Sequence, residues 1–361
     1  MRCIYHSLSI LAIACCMARA DSTSYTPPAG YFQVTAQGAS DSPVSIPLGQ
    51  KTSSMARIAS VGSSQIVSQS QQWTPGAFRV ASGVQDLTYF AEFGSGALRG
   101  VRYQIIDNSR DTLVLDTKGD DLTAHPLGAV AVDDVIRIRS LWTVAQVFGS
   151  TDSTVALDPK PNLLIPSDSI LLFDSERVGQ DKAPATELSY MTGVGWRATG
   201  DAVADQAYAP FQPGEPLIIR RRDPNALHVP VVGYVLPAFQ GIYVSGGDGV
   251  SGNDAYVSWM FPEPVTLDLS GLHNLDDPAS SVVRSSSDPM SPGDQLLSFG
   301  EGPGYNLTSE MSFFYLDTLG WRQFGSQNAV GSSVLLQPGK AYILRKAAAN
   351  PGVDWTQFSG D

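Results

Sequence analysis

Tyr190-Met191-Thr192-Gly193-Val194-Gly195-Trp196-Arg197 returns near the end of the chain as Tyr315-Leu316-Asp317-Thr318-Leu319-Gly320-Trp321-Arg322, displaced by 125 residues. Downstream, Gln212-Pro213-Gly214 and the run Leu217-Ile218-Ile219-Arg220-Arg221 return at the same displacement. The second copy reads Gln337-Pro338-Gly339 and Tyr342-Ile343-Leu344-Arg345-Lys346. Upstream, Pro166-Ser167-Asp168-Ser169-Ile170-Leu171-Leu172-Phe173 pairs with Pro292-Gly293-Asp294-Gln295-Leu296-Leu297-Ser298-Phe299 at a displacement of 126. Three blocks in one order mark a duplicated unit, and two copies do not make a solenoid. A Pro-Gly pair sets a tight turn, because Pro presets its angle and Gly accepts a positive one. The apolar run behind it reads as a buried strand. Gly-Trp-Arg reads as another strand, its indole filling the gap between layers and its Arg at the edge. The expectation is two related β-sandwich-like repeats, 135–260 and 261–361, behind a separate N-terminal β-barrel or sandwich spanning 21–134.

The rest of the chain has the same character. Residues 30–36 alternate apolar and polar, as do Val135-Ile136-Arg137-Ile138-Arg139. Residues 55–61 and 64–68 flank Gly62-Ser63, a hairpin turn. Residues 87–93, 100–106 and 112–116 continue the pattern, with a turn at Asp107-Asn108-Ser109-Arg110. Short strands at this spacing predict an all-β fold. A helical period appears at Leu141, Val144, Ala145 and Phe148, and residues 199–209 read as an irregular turn.

The first twenty residues stand apart. Met1-Arg2, an apolar stretch over 4–17 and the small-x-small Ala18-Arg19-Ala20 form the pattern of a cleavable signal peptide. The apolar stretch falls short of the ~20 residues a bilayer span needs, and no later segment is long and apolar enough, so no transmembrane segment is expected after cleavage. Cleavage would remove Cys3, Cys15 and Cys16, all the cysteines of the chain. The remainder would have no thiol catalysis, disulfide or zinc–thiolate site. Ala12-Ile13-Ala14-Cys15 loosely resembles a lipobox, which would anchor the product through a lipid on Cys15. Export and location at the cell surface, in the periplasm or outside the cell are therefore the expected address.

Loss of Arg2 and Arg19 leaves 21 of the 23 basic residues against 35 acidic ones, a net charge of −14. Phosphate recognition needs clustered Lys and Arg, so nucleic acid is excluded as a partner. The one basic cluster, Arg220-Arg221-Arg222, reads as the exposed end of a strand.

No catalytic motif emerges. Gly249-Val250-Ser251-Gly252 falls short of a nucleophile elbow because its second Gly is misplaced. His125, His228 and His273 are far apart and lack metal-ligand spacing. Asp248, Asn253 and Asp254 bring oxygen ligands to a Gly-rich turn without the order of a calcium loop, and Asp120-Asp121 reads as an acidic turn. There is no P-loop and no dinucleotide fingerprint. Trp196 and Trp321 read as core, with a sugar-stacking platform as the alternative. No catalytic, cofactor-binding or metal-binding residue is assigned, and no cofactor.

Several segments carry a family resemblance. They are Gly30-Tyr31-Phe32 with the strand over 42–48, Phe93-Gly94-Ser95-Gly96-Ala97-Leu98-Arg99-Gly100, Asp111-Thr112-Leu113-Val114-Leu115-Asp116, Leu141-Trp142-Thr143-Val144-Ala145, and the repeated Trp-Arg and Pro-Gly blocks. Together they resemble an exported β-rich family of Gram-negative bacteria, of verrucomicrobial type. The resemblance implies export and β structure and transfers no site. The functional expectation is a non-enzymatic structural or interaction protein whose partner is a surface, matrix or glycan component. The alternatives are a carbohydrate-binding module and a secreted hydrolase.

Overall fold

The computed structural model describes residues 28–359 except 82, 83, 162–164, 176, 212, 213, 301 and 327. The expected signal peptide, the three cysteines and the lipobox lie outside the described residues. The fold is all-β, as the alternation predicts. In chain order, β1 (Ala29–Ala36) and β2 (Asp41–Val44) come first. The next six strands are β3 (Thr52–Val61), β4 (Gln65–Ser68), β5 (Tyr89–Phe93), β6 (Arg102–Asn108), β7 (Thr112–Asp116) and β8 (Val135–Ser140). These six close into a barrel in the order β3-β4-β7-β6-β5-β8. Closure leaves the barrel no open edge, and Ile58, Ile66, Ile105, Leu113, Ile136 and Ile138 fill its interior with no exposed surface.

After the barrel come β9 (Trp142–Thr143), α1 (Val144–Phe148), β10 (Ser169–Leu172), β11 (Thr186–Met191), β12 (Gly195–Ala198), β13 (Pro210–Phe211), β14 (Leu217–Arg220) and β15 (Leu227–Tyr234). The helix lies where the sequence shows its period. Thr143 starts it with a capping box: its hydroxyl accepts from the Gln146 amide, and the Gln146 side chain accepts from the Thr143 amide. The last nine strands are β16 (Phe239–Val244), β17 (Asn253–Ser258), β18 (Val265–Thr266), β19 (Gln295–Ser298), β20 (Met311–Leu316), β21 (Gly320–Gln323), β22 (Leu335–Leu336), β23 (Ala341–Lys346) and β24 (Val353–Phe358).

Two five-stranded antiparallel sheets follow one plan, β12-β11-β10-β14-β2 and β21-β20-β19-β23-β17. A two-stranded ribbon accompanies each, β1-β15 for the first and β16-β24 for the second. The ribbons pack over the sheets, so Val34 and Val229 share a core with Ile170 and Trp196, and Val244 and Trp355 share one with Leu296 and Trp321. The register is repeated as well: Tyr190 lies opposite Trp196, and Tyr315 opposite Trp321.

The strand pairing departs from the contiguous division at 134/135 and 260/261. Strands β1 and β2 lie before the barrel, yet they pair with β15 and β14. Residues 135–140 close the barrel through β3 and β5. Strands β16 and β17 belong with β24 and β23. The first repeat is thus split, its two parts being 29–44 and 141–234, and the barrel is inserted between β2 and β9. In the second repeat the short stretch 259–264 spans the same gap. The physical reason is that a sheet recruits strands by pattern and pairing, whatever their separation along the chain.

Candidate functional site

Each repeat holds a carboxylate on its fifth strand that a loop of the other repeat reaches. Asp41 on β2 takes a bidentate ion pair from Arg220, Oδ1 to Nε and Oδ2 to Nη2 at 2.7 Å each. Asp254 on β17 takes the same pair from Arg345, at 2.9 and 2.8 Å. The backbone amide of Asp41 donates to the Gly304 carbonyl, and Asn306 donates its amide to Asp41 Oδ2. In the other half the amide of Asp254 donates to the Gly179 carbonyl, and Asp181 donates its amide to Asp254 Oδ2. Asp181 and Asn306 both sit in the left-handed region, at φ 50° and 53°, which Asx residues tolerate. The β10–β11 loop therefore docks on the second repeat and the β19–β20 loop on the first. This is the geometry of an isologous dimer interface within one chain.

A second pair of carboxylates lies deeper. Asp168 receives Arg221 Nη1 and the amides of Arg222 and Asp158. Asp294 receives Lys346 Nζ and the amides of Ala347 and Arg284. Burial holds the Lys346 ammonium below its usual range, opposed by Asp294. The expectation that Arg220-Arg221-Arg222 is an exposed strand end is therefore corrected for Arg220 and Arg221, while Arg222 is exposed. Arg221 is buried on Asp168 and Arg220 is clamped to Asp41, because each carboxylate inside the fold needs a cation.

The other sequence candidates are accounted for. Trp196 and Trp321 are buried, 0% and 2% exposed, each edge-on to the tyrosine opposite it. Trp73, Trp259 and Trp355 are buried and Trp142 is half-buried. Asp248 accepts from the amides of Val250 and Ser251, and Ser251 lies in that exposed turn. Asn253 is fully buried and bonded to Ser245, Gly179 and Lys182, while Asp254 is clamped to Arg345. The Gly-rich loop therefore uses its oxygens internally. Among the described residues, no three His, Cys, Asp or Glu side chains converge in a way that would hold a metal ion.

Titratable groups meet where the barrel touches the second repeat. Tyr103 donates to Asp120 at 2.7 Å, and His125 lies 3.6 Å from the same carboxylate. Burial pushes the Asp354 carboxyl upward, against the pull of His125 and with added repulsion from Asp120. Tyr243, paired with Asp354 across the β16–β24 ribbon, is raised by burial and by both carboxylates. Nearby, Arg102 donates to the Gly241 carbonyl at 2.9 Å, and burial lowers its guanidinium to about 10. Sequence reasoning passed over this contact, since Asp120 and Asp354 are 234 positions apart.

A cleft of about 330 Å³ opens at the seam between the repeats, bounded by β1, β2 and the segments around Phe299 and Gly339. The blocks ending at Phe173 and Phe299 held the signal for it, because they place these two rings at equivalent positions. Their partners across the seam lie on β17 and β2, which the block spacing does not reach.

No protein-family model matches this chain, and neither does any curated protein or solved structure. No helix among the described residues is long and apolar enough to cross a membrane.

Proposed function

We propose that the protein is exported and acts without catalysis, as an interaction or structural protein of the cell surface or extracellular matrix. The supporting observation is the use made of its deepest charges. Asp41, Asp168, Asp254 and Asp294, with their cations, form the same posts in both halves and hold loops and sheets together. The acidic balance favours a soluble, repelling surface.

Cell fractionation with an antibody tests the reading, and the protein is expected in the envelope or matrix fraction. Recovery as a free protein that cleaves a polymer would overturn it. Mass spectrometry of the mature N-terminus distinguishes a free Asp21 from a lipid on Cys15.

A further inference from the structure

The pseudo-twofold relation between the repeats is broken at one post. Where β17 meets the β10–β11 loop, the Tyr256 ring lies on Phe173, with centroids 3.9 Å apart and planes 20° from parallel. The related post is where β2 meets the β19–β20 loop. Phe299 stands there in the place of Phe173, each one residue beyond its strand, β19 or β10. Pro43 stands in the place of Tyr256, and the two face equivalent isoleucines, Ile218 and Ile343. A proline on an edge strand keeps the ladder intact, since its missing N–H points away from the neighbouring strand. Its ring is shorter than a phenol, and among the described residues no ring stacks on Phe299. The result is the seam cleft, with Phe32, Pro43, Phe299 and Pro338 among its apolar walls and Gln33 and Gln37 among its polar lining. Its volume of about 330 Å³ falls at the small end of the ligand-site range, ~300–1,000 Å³.

We propose that this cleft binds an aromatic side chain presented by a partner polypeptide, stacked on Phe299 as Tyr256 stacks on Phe173. The molecule contains its own template for the occupant. The second half shows that the slot takes a planar ring entering from the side of the fifth strand. Aromatic pairs favour offset stacking of this kind beyond simple area burial. The carboxamides of Gln33 and Gln37 offer hydrogen bonds to a phenol hydroxyl or to the peptide flanking the ring. The inference deepens the reading as an interaction protein and rests on it for the class of partner.

The test is saturation-transfer NMR on the full mature chain with N-acetyl-tyrosinamide as probe and methyl glucoside as a non-aromatic ring. The expected result is transfer to the tyrosinamide ring protons, lost in both Pro43→Tyr and Phe299→Ala. Pro43→Tyr places in the cleft the side chain its twin already carries. Phe299→Ala removes the stacking face at a half-buried position and keeps the test valid if the first variant folds poorly. Unchanged transfer in both variants would overturn the proposal. So would transfer to the glucoside alone, which would make the cleft a sugar site. Neither outcome bears on where the cell places the protein, so fractionation and probe binding fail independently.

Discussion

The two repeats bury the same carboxylate under different cations. In the first, Asp168 faces Arg221, which also donates to the Asn225 carbonyl. In the second, Asp294 faces Lys346, and the remaining acceptor capacity is met by Asn350. The acid and its backbone amide donors are common to both, while the cation varies with what surrounds it. The fifth strands vary more: Asp41 and Asp254 keep their place while Pro43 and Tyr256 differ. A duplicated fold thus holds to its buried electrostatic posts and drifts at its seam.

The largest effect should come from removing the deep carboxylates. Asp168→Ala leaves the buried Arg221 guanidinium only the Asn225 carbonyl and the more distant Asp223, at 3.5 Å, and is expected to cost about 3–5 kcal/mol in urea denaturation. Asp294→Ala should cost less, because a lysine can shed its proton while an arginine cannot. The sign follows from burial, which already lowers Lys346. Without Asp294 its folded-state pKa falls further below the unfolded value, so the variant gains stability as pH rises between the two. Asp168→Ala should show no such recovery. Equal, pH-independent losses would break the contrast between the cations.

A middle-sized effect is expected at the Pro-Gly turns. Gly214 and Gly339 have φ of 78° and 75°, and a Cβ at either would overlap the opposite repeat, at Ile242 or Phe32. Gly214→Ala and Gly339→Ala should each cost about 1–3 kcal/mol. Similar losses in thermal melts would sharpen the symmetry of the seam, and a loss at only one turn would show it to be one-sided.

The smallest effect concerns the contact that only the second repeat makes with the inserted barrel through Asp354. Its pKa is raised in the fold, so its favourable contribution is fully present below the unfolded carboxylate value and is lost as pH rises through the folded one. Asp354→Asn should therefore raise Tm slightly at about pH 7, and the gain should vanish by about pH 4 as the native carboxyl takes up its proton. A gain that persists in acid would show that packing, and not charge, limits this contact.

The duplication was legible because Trp196 and Trp321 follow glycines in equivalent turns and fill equivalent positions of two cores, so burial fixes both residue type and spacing. The barrel strands were legible from alternation, with Ile136 and Ile138 facing inward as the pattern predicts. The split of the first repeat was not. Strand β2 contributes Asp-Ser-Pro-Val where β17 contributes Asn-Asp-Ala-Tyr-Val-Ser, and a short edge strand is defined by the ladder it joins. The arginine run misled because a charged residue looks the same in sequence whether water or a buried aspartate faces it. The cleft was half legible: Phe299 lay in a matched block, while Pro43 joined it in the cleft wall only through folding.

The two outer ribbons have a mechanical consequence. Ala29 pairs with Tyr234 and Phe358 with Phe239, so both ends of the described chain zip onto one segment that runs from β15 through a short link into β16. A load pulling Ala29 and Phe358 apart enters each ribbon at the end where its partner strand continues into that link. The hydrogen bonds then open one after another, as in a peeling tape, and do not share the load as they would in shear. Tension between the ends would release β1 and β24 first and leave the inner strands of the two five-stranded sheets and the barrel paired.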